Sequence, residues 1–409
     1  MTIGRRDLLA SGGSALLASL FLPLRAAAAV PRLRLTGVEL RPVRATARTV
    51  WLFVRLMTDA GLVGLGEASD AFGFANTTAS DAARMRGELE RFFALINGRS
   101  PFEIESYRQR GEPLAHQGLV PATAFSAIEQ AMWDLAGKAL DVPTHVLLGG
   151  KIRTTLPVYA NVNRATNPRT PDGFAAAAKR AVADGFSAIK AAPFDGFPPP
   201  TASAADIARA IDAGIDAVRA MRTALGPSVG IMIDCHSFFD VEQSVAVAGR
   251  LEPYNLTWYE EPVPPERVDD TVAIHRRIKQ PMAGGEVLFG LSGFAPLVGR
   301  HAVDTIMPDV KHCGGLLEMT RIAAVAADAG VMVAPHNPSG PVSTAASVQV
   351  CAGMRNANYL ELQYGEVDWR SDVLIPAERF TGGTIEIPDR PGFGVALNDD
   401  VIRARALPL

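Results

Sequence analysis

Between Gly230 and Glu286 three apolar runs each close on a carboxylate. Ile231-Met232-Ile233 leads to Asp234, Leu256-Thr257-Trp258-Tyr259 to Glu260, and Pro281-Met282-Ala283-Gly284-Gly285 to Glu286. Both intervals between the acids are 26 residues, enough for one strand, one helix and two short loops. Equal spacing therefore predicts that the three acids stand at the same end of three successive strands of a parallel barrel. Carboxylates gathered in this way repel one another unless a cation lies among them, and hard oxygen donors select Mg²⁺ over softer metals.

The rest of the chain extends the pattern in both directions. From Leu156 onward short apolar runs alternate with alanine-rich helical stretches, with strands expected to begin near Pro157, Ser187, Val229, Leu256, Pro281, Asp304, Val331 and Asn358. Helices are expected over 171–183, 204–225, 241–251, 268–278, 316–329 and 342–352. This alternation predicts an α/β fold, a TIM-type (β/α)7β barrel over residues 156–374, whose working groups sit at the carboxyl ends of the strands.

Residues 30–155 read differently, as an α+β capping domain completed by the Gly- and Pro-rich tail 375–409. Strands are expected over 33–40 and 50–57, with Thr58-Asp59-Ala60-Gly61 as a hairpin-like link closed by Gly64-Leu65-Gly66-Glu67. The stretches 41–49 and 72–74 read as loops able to lean over a neighbouring site. A helix over 79–96 precedes one expected to start at Ser100-Pro101-Phe102-Glu103, which has the form of a capped first turn, and a strongly amphipathic one covers 122–140.

Ahead of both domains, Arg5-Arg6-Asp7-Leu8-Leu9, an apolar run over 15–24 and the small residues Ala26-Ala27-Ala28-Ala29 have the form of a twin-arginine-type export signal over residues 1–29. The run is short for a bilayer span, so a cleaved, periplasmic protein with no membrane association is expected. A net charge of −3 with scattered basic residues argues against a nucleic-acid partner and for a small-molecule one. Cys235, Cys313 and Cys351 show no metal or disulfide spacing and read as buried thiols. Assembly into a homo-oligomer is expected.

The residues at the strand ends are Lys190, Asp234 with His236, Glu260, Glu286, Asp309, His336 and Glu361. A terminal acid on any single strand is commonly a helix cap or a solvated loop residue. Their recurrence on seven of the eight expected strands, whose interiors are apolar, points to one shared site.

Taken with Gly64-Leu65-Gly66-Glu67, the helix 127–138, Trp258-Tyr259-Glu260-Glu261-Pro262, Gly284-Gly285-Glu286, Pro308-Asp309 with Gly314-Gly315, and Pro391-Gly392-Phe393-Gly394, the chain resembles the enolase superfamily, and within it the mandelate racemase subgroup. The resemblance covers essentially everything after the leader. It implies removal of a proton α to a carboxylate, Mg²⁺ as cofactor, and Asp234, Glu260 and Glu286 as its ligands, with Glu260 rather than Glu261 taken from the Glu-Glu-Pro run.

Asp309 stands where the muconate-lactonizing branch carries a lysine, and the resemblance pairs it with His336. The racemases of the subgroup carry Lys-x-Lys after the second strand, whereas this chain reads Lys190-Ala191-Ala192. His236, two residues beyond the first ligand, resembles instead the galactonate-dehydratase type of acid-sugar dehydratase. The implied reaction is Mg²⁺-dependent dehydration of a sugar acid to a 2-keto-3-deoxy acid. His236 takes the C2 proton, with Lys190 the alternative base, and His336 protonates the departing 3-hydroxyl. Lys190 and Glu361 are expected beside the substrate carboxylate and enediolate. Two other readings stand alongside: a racemase or epimerase of a 2-hydroxy acid by the same chemistry, and a periplasmic sugar-acid binding protein.

Overall fold

The computed structural model describes residues 30–73 and 77–407. The expected export signal, residues 1–29, and Phe74 of the second loop lie outside the described residues.

The amino-terminal layer is an antiparallel meander of β1 (Leu35–Arg44), β2 (Val50–Thr58) and β3 (Val63–Glu67). Two features differ from expectation. The stretch 41–44 is strand rather than loop, since Arg41 pairs with Phe53 and Arg44 with Val50, which shortens the connecting loop to 45–49. The Gly64-Leu65-Gly66-Glu67 run is a third strand rather than a closing turn. Its glycines have a packing reason: a Cβ at Gly64 or Gly66 would lie 2.1 Å from the carbonyl oxygen of Ala131 or Ala127 on the helix lying across the sheet.

That helix is α3 (Leu119–Leu140), which follows α1 (Ala79–Phe93) and α2 (Ile104–Ala115) and precedes the single turn α4 (Thr144–Leu147). α3 is buried along most of its length, so it serves as a central post rather than a surface helix. The expected start of α2 at Ser100 is corrected: Ser100 and Glu103 bond each other's neighbourhood in a turn, Oγ accepting from Phe102 N and Oε1 from Ser100 N, and the helix opens at Ile104.

All eight expected barrel strands are present: β4 (Thr155–Asn161), β5 (Ala188–Ala191), β6 (Gly230–Asp234), β7 (Trp258–Glu260), β8 (Met282–Gly284), β9 (Thr305–Ile306), β10 (Met332–Val333) and β11 (Leu360–Gln363). Neighbours pair in parallel from β4 through to β10, β11 pairs with β4, and a parallel bridge from Val333 to Ala357 closes the ring. The crossover helices are α5 (Pro171–Ala183), α6 (Ala204–Leu225), α7 (Val241–Leu251), α8 (Val268–His275), α9 (Gly290–Gly299), α10 (Gly315–Asp328) and α11 (Pro341–Cys351). No helix follows β11 directly, which makes the barrel (β/α)7β. α8 stops three residues before its expected end. α9 was not anticipated, because its run Gly-Leu-Ser-Gly-Phe-Ala-Pro-Leu-Val-Gly carries Pro296 and three glycines; burial of Phe294, Leu297 and Val298 against the barrel holds it.

The tail serves both layers. β13 (Phe380–Thr381) and β14 (Thr384–Glu386) form a hairpin added antiparallel to β4, β12 (Leu374–Ile375) pairs with β15 (Ala396–Leu397), and α12 (Asp399–Ala404) leads back to β1 through an Ala406–Val43 bridge. Among the described residues no helix is long and apolar enough to cross a membrane.

Candidate active site

Strand side chains alternate faces, so every second residue points into the barrel. Tyr159, Ala188, Met232, Trp258, Ala283, Met307 and Ala334 fill one buried interior layer. Two residues further along their strands come Lys190, Asp234 and Glu260, so the acids and the lysine stand one layer above an apolar floor. Asp234 and Glu260 are register partners. Ligand atoms of Asp234, Glu260 and Glu286 all lie within 4.8 Å of one another.

Lys190 lies among these acids. Its Nζ is 2.7 Å from Glu260 Oε1, 3.1 Å from Glu361 Oε1 and 3.3 Å from Asp234 Oδ2. Burial alone would favour the neutral amine, but Glu260 and Glu361 overcome it and hold the ammonium well above the ordinary lysine value. Glu361 is fixed on its other side, accepting from Asn161 Nδ2 at 2.7 Å and from Asn337 N at 2.9 Å.

Even with one lysine the cluster holds an excess of acid. Burial, and then repulsion from neighbouring carboxylates, raises Glu260 and Glu286 well above the usual carboxylate range. Among the described residues Glu286 Oε2 is buried and accepts no hydrogen bond, although His336 Nε2 lies 3.2 Å away outside hydrogen-bond geometry. Three convergent hard oxygens, mutual repulsion and an undonated carboxylate oxygen together fit a divalent cation.

Glu261, the second acid of the pair, has a different place. Its backbone turns into the left-handed region (φ 36°) and its Oε1 accepts from Gly285 N at 2.6 Å and Glu286 N at 3.2 Å. It thus anchors the loop that carries Glu286, while Glu260 points into the barrel.

Two histidines flank the acids in matching arrangements. His336, past β10, has Nδ1 2.7 Å from Asp309 Oδ2 and Nε2 3.2 Å from Glu286 Oε2. His236, past β6, has Nδ1 2.6 Å from Asp195 Oδ1 and Nε2 3.3 Å from Asp234 Oδ2. Burial would lower His236, but Asp234 and the bond to Asp195 outweigh it and bring the ring up to about 9. Asp309 is held far below the carboxylate range despite burial, chiefly by Lys311, whose Nζ is 2.5 Å from the same Oδ2 that His336 uses.

Both histidines, with Glu286, line a cavity of about 290 Å³ that is bounded also by Arg48, Thr49, Asp70, Gly73, Arg164 and His312. Both loops expected to lean over the site therefore reach it, through residues 48–49 and Gly73. Lys190, Asp234, Glu260, Asp309 and Glu361 do not line that cavity; they are buried behind its wall. Lys190 and Glu361 thus lie further from the cavity than sequence reading placed them.

Sequence reading missed Asp195, Lys311 and Arg164, all on loops after strands. Arg164 ties Asp70 (3.2 Å) to Glu366 (3.1 Å) and donates to Pro338 O, holding the cavity wall. The only signal for Asp195 is its place, five residues beyond Lys190 in Pro193-Phe194-Asp195-Gly196. Of the other histidines, His312 is buried at the cavity, bonded through Nδ1 to Thr123 Oγ1. His116 is exposed with its ring edge-on to Phe289, and His145 and His275 pair with Asp389 and Asp304. Trp369 packs against Trp51 with the rings tilted by 59°, and Arg370 is bonded to Glu378 and to Ser339 O, so both residues are engaged structurally.

Residues 32–149 match the mandelate racemase / muconate lactonizing enzyme N-terminal domain, and residues 173–401 match the enolase C-terminal domain-like family. The chain belongs to the mandelate racemase / muconate lactonizing enzyme family of the enolase superfamily, and it is an enzyme. It is 33% identical over 388 residues to the D-xylonate dehydratase of Haloferax volcanii, covering 91% of this chain and 90% of that one. The D-galactonate dehydratase of Xanthomonas campestris pv. campestris is 30% identical, covering 86% of this chain and 90% of that one. A crystal structure of a member of the enolase superfamily from Salmonella Typhimurium superposes with a TM-score of 0.81 at 25% identity, over 92% of this chain and 99% of that one.

Proposed function

We propose that this hydro-lyase dehydrates a sugar acid, converting an aldonate to a 2-keto-3-deoxy acid and water. The observation that carries the reading is the pair of aspartate-bound histidines, His236 and His336, whose Nε2 atoms both face the Asp234–Glu260–Glu286 cluster. Dehydration needs both a base for the C2 proton and an acid for the 3-hydroxyl. The relatives named as D-xylonate and D-galactonate dehydratases support the substrate class.

Asp234, Glu260 and Glu286 would hold Mg²⁺, which when bound supplies positive charge against the negative charge that grows on the substrate carboxylate as the α proton leaves. His236 in its neutral form, the minor one at neutral pH with the ring raised to about 9, takes the C2 proton on Nε2. The electron pair of that C–H bond becomes the C2–C3 double bond of the enol, and the C3–O bond breaks. His336 gives its Nε2 proton to the departing hydroxyl, which leaves as water. The enol tautomerises to the ketone, so the net change is the loss of one water.

Lys190 is unsuited to be the base, since its ammonium is locked among three carboxylates; its charge instead offsets part of theirs. The arginine-pair leader of residues 1–29 would direct the chain to the periplasm, which the mass of the exported mature protein checks.

The test is incubation with a panel of aldonates and aldarates in the presence of Mg²⁺. Release of a 2-keto acid from at least one member is expected. Inversion at C2 with solvent deuterium uptake and no keto acid would make the enzyme a racemase, and tight binding without turnover would make it a binding protein.

A further inference from the structure

The Asp309–His336 pair has a counterpart that no motif in the chain announces. Asp195 lies in the loop after β5, and its Oδ1 is 2.6 Å from His236 Nδ1. Its other oxygen is committed elsewhere: Oδ2 accepts from Asn163 Nδ2 at 2.9 Å and from Arg169 Nη2 at 3.2 Å. Arg169 is itself tied to Ala192 O at 2.7 Å and to Asn163 Oδ1 at 2.8 Å. The carboxylate is therefore clamped on one edge by two donors and presents the opposite edge to the imidazole.

The backbone cooperates with this clamp. His236 and Ser237 both sit in the left-handed region, at φ 43° and 59°, and His236 N donates to Asp234 Oδ1 at 3.0 Å. A non-glycine residue held there is strained and needs fixing by its surroundings. Ring and backbone together aim Nε2 at the acid cluster, 3.3 Å from Asp234 Oδ2, with the residue itself lining the cavity.

We infer that Asp195 is a positioning residue for the proton-abstracting step: it holds the proton of neutral His236 on Nδ1 and so leaves the Nε2 lone pair facing the substrate. The inference rests on His236 being the base of the reaction proposed above. It goes beyond that reading by assigning the partner that makes one imidazole nitrogen, and not the other, the acceptor.

The clamp makes an unusual prediction about two substitutions. In Asp195→Asn the amide oxygen goes to Asn163 and Arg169, which can only donate on the Arg169 side. The amide NH₂ then faces His236 Nδ1 and draws the ring into the opposite tautomer, with its proton on Nε2. In Asp195→Ala the carboxylate that selects the tautomer from the Nδ1 side is gone, and no amide donor takes its place. The isosteric Asp195→Asn variant is thus the more damaging of the two, the reverse of what a space-filling role gives.

The experiment measures kcat and KM on an aldonate that the wild-type enzyme turns over, the isotope effect of C2 deuteration on kcat, melting temperature, and the ¹⁵N shifts of His236 in histidine-labelled protein. For Asp195→Asn, kcat falls at least about 100-fold, as for other histidines forced into the wrong tautomer. KM stays within about threefold of wild type, the isotope effect rises, and the ¹⁵N shifts move the His236 proton from Nδ1 to Nε2. Asp195→Ala loses less in kcat. Near-wild-type kcat with an unchanged tautomer in Asp195→Asn overturns the inference. So does a joint drop in kcat, substrate affinity and melting temperature that is larger in the alanine variant. If the wild-type enzyme dehydrates no sugar acid, the proposed function fails, while the ¹⁵N shifts still decide whether Asp195 sets the tautomer.

Discussion

His236 and His336 each hold a carboxylate at one ring nitrogen and an acid of the central cluster at the other. Such an arrangement fixes the ring and decides which nitrogen meets the substrate. Among the described residues His312, close by, has no carboxylate within hydrogen-bonding distance, with Asp309 standing off at 3.8 Å. Burial dominates there and lowers His312 to about 4, so this ring is neutral at physiological pH. An unfolded histidine titrates at about 6.5. Between those two values the unfolded chain binds a proton that the folded chain does not, so stability falls as pH drops from about 6.5 to about 4. The full effect of this one group is about 3 kcal/mol. The His312→Gln variant lacks it, and its urea-unfolding free energy should decline less steeply over that window than that of the wild type. An equally steep decline would mean that His312 protonates freely in the folded state. At this scale the sequence was legible where a strand end dictates direction: Asp234 and Glu260 close strands whose side chains alternate faces, while Asp309 and His336 stood out as polar residues after apolar runs and were paired by the family resemblance. Asp195 was not, because the path of a loop from Ala192 to Phe197 has no period to read.

The amino-terminal layer reaches the site through element ends. Glu129 of α3 accepts from Leu316 N at 2.7 Å and from Leu317 N at 3.0 Å, so a side chain of one layer caps α10 of the other. Arg108 of α2, itself buried, lies between Glu129 and Glu318 and donates to Gly314 O. Glu67, at the end of β3, does the same for α11, accepting from Gly340 N at 2.7 Å and Ser343 N at 2.8 Å. These two helices follow the loops that carry Asp309 and His336. Glu129→Ala should therefore cost about 3 kcal/mol in urea unfolding, by stripping a helix cap and leaving Arg108 short of a buried counter-charge. It should lower kcat as well. A loss below about 1 kcal/mol would show that water replaces the carboxylate. The capping box read at Ser100 shows the complementary limit of pattern reading: Ser100 N donates to Glu103 Oε1 as foretold, but Ser100 Oγ accepts from Phe102 N rather than Glu103 N, and the bonds close a turn three residues ahead of the helix.

For the molecule as a whole, barrel closure gathers more negative charge than the protein neutralises by itself. Lys190 is one ammonium among Asp234, Glu260 and Glu361, with Glu286 and Glu261 close by. A cation bound there binds the folded chain and not the unfolded one, so Mg²⁺ should raise the melting temperature. At 100 times its dissociation constant the gain is about 2.7 kcal/mol. Chelation should reverse it, and Glu286→Gln should abolish the Mg²⁺ response without lowering the metal-free melting temperature. A Mg²⁺ response that survives in Glu286→Gln would place the ion elsewhere. The eight strands and their carboxyl-end chemistry were readable from the sequence because apolar runs and polar ends alternate with fixed spacing. The tail's double role, a hairpin on β4 and a return to β1, was not readable, because its strands lack the apolar run, polar end and following helix that mark the equally short barrel strands.

The division of labour between the two histidines is tested most directly by proton NMR of an aldonate substrate in D₂O with Mg²⁺ and each histidine variant. His336→Asn should exchange the C2 proton for deuterium while its keto-acid formation falls by about 100-fold or more, and His236→Asn should lose both. Full C2 exchange by His236→Asn, together with its loss in Lys190→Ala, would contradict the account and return the base to the lysine.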